Sequence, residues 1–135
     1  LIDGLHEFDQ ALRDFLHLER HMRSSGIVFL HDCNPPEREN EENRSGMWNG
    51  DVWKVMHYLS KARPDLHYFT LDCDWGLGVV SNLNPRNPPP IDDSLIDSIT
   101  ELDYSFLEKN RSEVLNLKHR SHFAAFYLKR IFSSQ

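Results

Sequence analysis

The sequence predicts an α/β fold, with a parallel sheet that carries an antiparallel edge. Short apolar runs of strand length alternate with one-faced helical patterns, and the order strand, helix, strand, helix is typical of this class. Two later apolar runs separated by a short polar turn add a hairpin. The chain has 135 residues, which is enough for one domain with a modest core and too few for two.

The first half of the chain is organised around the stretch GIVFLHDCNPP, residues 26–36. Its apolar run, residues 27–31, has the composition of a strand buried on both faces, and Pro35 and Pro36 end it. The opening LIDG indicates the tail of an earlier strand. Residues 7–22 place their apolar side chains on one helical face, which predicts a helix between the two strands.

Residues 37–46 are polar and charged without periodicity, and they predict a mobile surface loop. A helix is predicted over residues 51–62, with Asn49 or Asp51 as its N-cap. Residues 66–71 and 78–83 then predict two strands joined as an antiparallel hairpin.

A proline-rich segment, NPRNPPP, separates two regions: residues 1–83, which form the predicted α/β domain, and residues 84–135, a connector and helical tail. Helices are predicted over residues 92–102, 104–117 and 119–135. The last of these carries an aromatic stripe that is typical of a docking face or a dimer contact and consists of Phe123, Phe126, Tyr127 and Ile131.

Composition narrows the classes of function. A formal net charge of −6 argues against binding to a nucleic-acid backbone, and no apolar stretch is long enough to span a membrane. No secretory signal is visible, and two cysteines are too few for a disulfide scaffold. We therefore expect a cytoplasmic protein with reduced thiols.

Acidic residues follow the predicted strands at their carboxyl ends. If the first two strands are adjacent and parallel, Asp3 and Asp32 emerge side by side, with Asn34 close by. Two carboxylates and a neutral oxygen are ligands that Mg²⁺ or a similar divalent cation prefers. The alternative is that Asp32 and Asn34 only cap a turn before the prolines.

Two histidines lie near the same edge. A neutral imidazole of His6 or His31 would be able to take a proton from a substrate hydroxyl. The alternative is structural: His6 as a helix-start residue bonded to the backbone, and His31 as a satisfied histidine at a strand end. Asp72 and Asp74 are interpreted as turn residues. Trp48 is a candidate pocket wall or a surface anchor.

The stretches LIDGLHEFDQALRDF, GIVFLHDCNPP, WNGDVWK and DCDWGLGVV together resemble the C-terminal half of class I S-adenosylmethionine-dependent methyltransferases. The closest likeness is to metal-assisted O-methyltransferases that act on sugar or catechol-like hydroxyls. The resemblance covers residues 1 to about 83, and FLEKNRSEVLNL resembles a tail of similar bacterial proteins. It implies a partial Rossmann-like methyltransferase sheet made of strands 4, 5, 6 and 7 of the family order 3-2-1-4-5-7-6, in which only strand 7 is antiparallel.

The resemblance also implies roles for residues. Asp3 and Asp32 match the family's metal ligands, and Asp3 is also assigned a contact to the cofactor. Asn34 is the candidate third ligand, although the position directly after the second acid is Cys33 here. His6 matches the base of the sugar-modifying relatives, which would deprotonate an acceptor hydroxyl beside the metal.

The family's glycine-rich donor loop has no match in this sequence. The G-x-G of the chain, Gly76-Leu77-Gly78, lies inside the predicted hairpin. We therefore expect half a methyltransferase, with weak or no binding of S-adenosylmethionine, that forms a homodimer or takes strands 1 to 3 from a partner chain. The alternative is a non-catalytic module for oligomerisation or partner binding.

Overall fold

The computed structural model describes residues 1–132, which form an α/β fold with a mixed four-stranded sheet and six helices. The helices are α1 (Phe8–His21), α2 (Arg38–Glu42), α3 (Trp53–Ala62), α4 (Asp93–Thr100), α5 (Tyr104–Leu115) and α6 (His122–Phe132). The strands are β1 (Ile27–Leu30), β2 (His67–Asp72), β3 (Leu77–Ser81) and β4 (Leu117–His119).

The strand order of the sheet is β1-β3-β2-β4. β3 is antiparallel to both β1 and β2, whereas β4 runs parallel to β2. The α/β class and the β2–β3 hairpin are confirmed, but the antiparallel strand lies inside the sheet and not at its edge. Val79 and Val80 of β3 point to opposite faces and both are fully buried, as is typical of a central strand.

Two apolar clusters cover the two faces of the sheet. Val28, Leu30 and Val80 pack with α1, α3, α4 and α5, and this cluster is the main core. Phe69, Leu71 and Val79 pack on the other face against aromatic side chains of α6. Alternate residues of a strand point to opposite faces, so β1, β2 and β3 each contribute to both clusters.

The polar stretch after β1 is not an irregular loop along its whole length. Residues 38–42 form α2, a short helix without buried residues, in which Arg38 pairs with Glu42 at 3.0 Å. Two indole groups hold it against the domain: Trp48 Nε1 donates to the Glu41 carbonyl (2.8 Å) and Trp53 Nε1 to the Glu41 carboxylate (2.7 Å). These contacts are tertiary, so the local sequence does not reveal them.

The tail differs from its predicted helices in one segment. Asn116 adopts a left-handed conformation (φ 45°), which ends α5, and residues 117–119 then pair with β2 as β4. Asparagine tolerates this backbone region better than most residues, so it can stop a helix without a glycine. The last predicted helix begins at His122 instead of residue 119, and residues 133–135 lie outside the described part of the chain.

Within residues 1–132, no helix has the length and apolar character that crossing a membrane requires.

Candidate functional site

The structure brings Asp3, His6 and Asp32 together at the carboxyl end of β1. Ile2 pairs in parallel with Leu30, its N–H donating to the Phe29 carbonyl at 2.8 Å. Because the segment at Ile2 and strand β1 run in the same direction, the acids that follow them leave the sheet side by side. In residues 1–132, these three side chains form a group spaced to hold a cation, with potential ligand atoms within 4.8 Å of one another.

Asp32 is the centre of the group. It is 4% exposed and adopts a left-handed backbone (φ 61°), a conformation that is uncommon for residues other than glycine and that clusters at functional sites. Its Oδ2 lies 3.2 Å from His6 Nε2 and 2.8 Å from His31 Nδ1. No lysine or arginine among residues 1–132 forms an ion pair with it, so only histidines can offset its charge.

His6 is oriented by the backbone of a distant loop. Its Nδ1 lies 2.6 Å from the Trp48 carbonyl, which can only accept, so Nδ1 carries the proton. In the neutral ring, Nε2 then presents a lone pair toward Asp32 and toward Asp3, whose Oδ1 is 3.8 Å away. This tautomer suits either a metal ligand or a proton acceptor.

The segment WNGD, residues 48–51, locks this loop onto the start of α1. The Asp51 N–H donates to the His6 carbonyl (3.3 Å), and Asp51 Oδ1 accepts from the Phe8 N–H (2.7 Å). Gly50 has φ +62°, and a Cβ there would lie 1.6 Å from the His6 carbonyl oxygen, so only glycine fits. The expectation that Asn49 or Asp51 caps α3 is wrong, because α3 has no side-chain cap and Asp51 caps α1.

Asn49 belongs to the site, although its sequence position indicates only a turn. It is 2% exposed, and its Nδ2 donates to Asp32 Oδ1 at 2.5 Å. Its Oδ1 is buried and has no hydrogen-bond partner in the described part of the chain. Buried polar oxygens are nearly always satisfied in folded proteins, so this one marks a place where an electropositive ligand would be stabilised.

His31 bridges the cluster to the β2–β3 turn. Its Nδ1 contacts Asp32, and its Nε2 lies 3.3 Å from Asp74 Oδ2. Burial acts to lower the pKa of His31, but hydrogen bonds to Asp32 and Asp74 and the charges of Asp32 and Asp3 outweigh it, so the pKa is raised. Asp74, interpreted from the sequence as a turn residue, therefore also reaches the site. His31 lies where it can hold the Asp32 carboxylate in place.

The β2–β3 turn forms one wall of the site. Asp74, Trp75 and Gly76 all have positive φ, and the Cys33 and Asn34 N–H groups donate to the Gly76 and Trp75 carbonyls at 2.9 and 2.8 Å. A Cβ on Gly76 would lie 2.3 Å from the Asn34 Cβ, so this close approach also requires glycine. The turn is thereby docked directly beside the end of β1.

A pocket of about 270 Å³ results from this packing. It is lined by Asp3, His6, His31, Asp32, Met47, Trp48, Asn49 and Trp75. Trp48 both lines the pocket and anchors α2 through its indole N–H, so its two sequence interpretations apply together. The pocket is small and is suited to a single ring or a similar fragment of a ligand.

Asn34 is the predicted site residue that the structure does not bring into this group. Its Oδ1 accepts a hydrogen bond from the Arg111 guanidinium, and its Nδ2 lies 3.3 Å from Asp72 Oδ1. It borders a different hollow, together with Asp72, Cys73 and Asp74. Because Arg111 lies on α5, far along the chain, this pairing was not visible in the sequence.

Cys33 follows Asp32 but faces the core. It is fully buried, its Sγ contacts the Leu30 carbonyl at 3.4 Å, and burial raises its pKa to about 12. A protonated thiol is neither a nucleophile nor a good metal ligand at neutral pH. Cys33 therefore takes no part in the candidate site.

The chain matches no protein-family model, no curated protein and no solved structure. The site comprises two carboxylates, a histidine and a buried amide side chain whose oxygen has no partner among the described residues, and all four residues line one small pocket.

Proposed function

We propose that this chain is an S-adenosylmethionine-dependent O-methyltransferase, or the C-terminal half of one. It would methylate a hydroxyl group of a small molecule or a sugar with the help of a divalent metal. The observation that carries the proposal is the Asp3–His6–Asp32 group, joined by the buried, unpartnered Oδ1 of Asn49.

The topology supports the same proposal. The resemblance implies the neighbour order 4-5-7-6, with strand 7 antiparallel. The observed order of Ile2, β1, β3 and β2 has that form, and β3 is its antiparallel member. This agreement is a similarity of strand order, and the activity itself is inferred from the residues.

The donor set fits a hard divalent cation. Asp3 and Asp32 offer carboxylate oxygens, and Asn49 offers the neutral oxygen that the sequence assigned to Asn34. A bound Mg²⁺ or Mn²⁺ would supply positive charge that lowers the pKa of an acceptor hydroxyl. Mg²⁺ usually retains several waters, which leaves room for an acceptor in the pocket.

The proposed catalytic step assigns one role to each histidine. His6 Nε2 accepts the proton of the acceptor hydroxyl, while its Nδ1–H stays on the Trp48 carbonyl. S-adenosylmethionine, where bound, would supply a sulfonium methyl group to the deprotonated acceptor oxygen and would leave as a neutral thioether. His31 is a positioning residue that keeps Asp32 oriented and contacts the β2–β3 turn through Asp74.

The donor site is the part that these residues do not supply. The glycine-rich strand-to-helix loop of the resembled family has no counterpart in residues 1–132. The proposal therefore includes a partner chain that would complete the donor site, with a homodimer as the alternative way to cover the open sheet edge. It predicts weak binding of S-adenosylmethionine to this chain alone. Two free cysteines are compatible with the cytoplasmic location proposed from the sequence.

The first experiment is a calorimetric titration of the chain with Mg²⁺ and with Mn²⁺, followed by S-adenosylmethionine with and without metal. We expect saturable metal binding that Asp32→Asn abolishes. The matched control is Asp72→Asn, which alters an exposed acid outside the cluster and should leave metal binding unchanged. Methyl transfer is then assayed with catechol and methyl glycosides as acceptors, and any activity should be lost in His6→Gln.

The proposal fails in two distinguishable ways. If neither metal binds at millimolar concentration, or if Asp32→Asn binds as well as the wild type, the metal centre is wrong. If metal binds but no donor or acceptor does, even with a candidate partner chain present, the non-catalytic alternative is favoured.

A further inference from the structure

A second pair of metal-competent side chains lies on α1, away from the sheet edge. His17 and His21 are four residues apart, so they project from the same side of the helix one turn apart. Both are exposed, and their ring centroids are 4.9 Å apart with an angle of 57° between the ring planes. No hydrogen bond or ion pair within residues 1–132 engages either ring.

The separation of the two rings is within the range that a shared metal ion would allow. An imidazole nitrogen binds Zn²⁺ at about 2.0–2.1 Å, which places the ring centroid about 3.2 Å from the ion. Two such rings at an angle between square and tetrahedral are then separated by about 4.5–5.2 Å. The observed 4.9 Å falls inside that interval, so the spacing of the two rings is compatible with a shared ion.

We propose that His17 and His21 form a surface site for borderline transition-metal ions, with Cu²⁺, Ni²⁺ and Zn²⁺ as its ligand class. Imidazole ligands favour these ions, whereas Mg²⁺ requires oxygen ligands and does not bind. Water completes the coordination, since the described residues place no third acidic or histidine side chain within ligating distance of this pair.

The surroundings permit a cation. Arg13, one turn before His17, forms an ion pair with Asp9, with 3.5 Å between Nη2 and Oδ2, so the charge of Arg13 is partly offset. Asp14, also one turn earlier, contributes a negative charge and accepts a hydrogen bond from Gln10 at 2.8 Å. Because His21 is the last residue of α1, an ion bound to both histidines would stabilise the final turn of the helix. That turn also carries Glu19, which is buried.

The site is tested by calorimetric titration of the untagged chain with Ni²⁺, and by thermal unfolding with and without the ion. Wild type, His17→Ala, His21→Ala and the control His119→Ala are compared, since His119 is an exposed histidine outside α1. Loss of an outer-shell partner alone costs about 10- to 100-fold in metal affinity, so removing either ligand should weaken binding at least about tenfold. His119→Ala should bind as the wild type does.

Asp32→Asn separates this site from the proposed catalytic metal centre. We expect it to retain the Ni²⁺ binding that His17→Ala and His21→Ala lose, and each α1 variant to retain any Mg²⁺ binding. The inference is overturned if both α1 variants bind Ni²⁺ and gain thermal stability from it as the wild type does. Because both positions are exposed on the helix, we expect the variants to fold, and unchanged circular dichroism verifies it.

Discussion

Two buried carboxylates in this molecule have opposite surroundings. Glu19 is 1% exposed, and both of its oxygens accept from the Arg63 guanidinium at 2.7 Å, while the Asn84 N–H donates at 2.9 Å. Arg63 also binds Asp65, with Nε and Nη2 each 2.9 Å from a carboxylate oxygen. Every charge in this network has a partner, and the network joins α1 to the end of α3 and to the segment after β3.

Asp32 is buried almost as completely, but it has no such partner. It lies beside a second carboxylate, two histidines and an amide whose oxygen is unsatisfied, and its own backbone is in a strained region. The contrast separates a structural site from a candidate functional one. A buried charge that is fully paired stabilises one conformation, whereas an incompletely paired cluster costs stability unless a ligand binds there.

The largest expected effect comes from breaking the paired network. Arg63→Met leaves Glu19 buried without a counter-charge, and removal of one partner of a buried pair typically costs about 3–5 kcal/mol. Urea unfolding should show a loss of this size. A loss below about 1 kcal/mol would mean that the network is not the structural element inferred here.

Asp32→Asn should have a much smaller effect on the free energy of unfolding. Asparagine tolerates the left-handed backbone as well as aspartate does, and the substitution removes a negative charge from beside Asp3. In the absence of metal we expect a change of less than about 1.5 kcal/mol in either direction. A loss as large as that of Arg63→Met would show that Asp32 is a structural residue.

The paired network around Arg63 also predicts a response to acid. The hydrogen bond from Arg63 lowers the pKa of Asp65, and the charge of Arg63 adds to this effect against a smaller opposing effect of burial. A lowered pKa in the folded state contributes stability above the ordinary aspartate pKa and loses it as pH falls through the lowered value. Stability should therefore fall below about pH 4, and less steeply in Asp65→Asn; equal slopes would exclude this contribution.

The smallest effect concerns reactivity and requires no substitution. Cys33 is fully buried with its pKa raised to about 12, whereas Cys73 is partly exposed. In native conditions iodoacetamide should label Cys73 first, and Cys33 only when the end of β1 opens. If Mg²⁺ binds at Asp32, it should slow labelling of Cys33. Equal labelling rates would show that this edge opens readily.

The homodimer stays a prediction. Tyr127, Leu128, Ile131 and Phe132 of α6 are exposed, so the aromatic stripe is only partly used in packing on the sheet. Sedimentation equilibrium checks this, and a stable monomer at micromolar concentration would contradict it.

Much of the fold follows from local patterns. The apolar run of β1, the one-faced pattern of α1 and the short turn of the hairpin each depend on neighbouring residues, so the α/β class was predictable. The convergence of Asp3, His6 and Asp32 was also accessible, because parallel neighbouring strands place their carboxyl ends at one edge. The strand at residues 117–119 was not predictable, because a three-residue strand exists only through its pairing with β2.

By itself the sequence determined α1, β1, α3, the hairpin and the acids at the strand ends, because these depend on contacts between residues near in the chain. Only the tertiary structure decided the membership of the site. In the folded chain, Asn34 is hydrogen-bonded to Arg111 and Asn49 to Asp32, and Trp75 lines the pocket. These pairings join segments that are distant in the chain, so no local pattern encodes them.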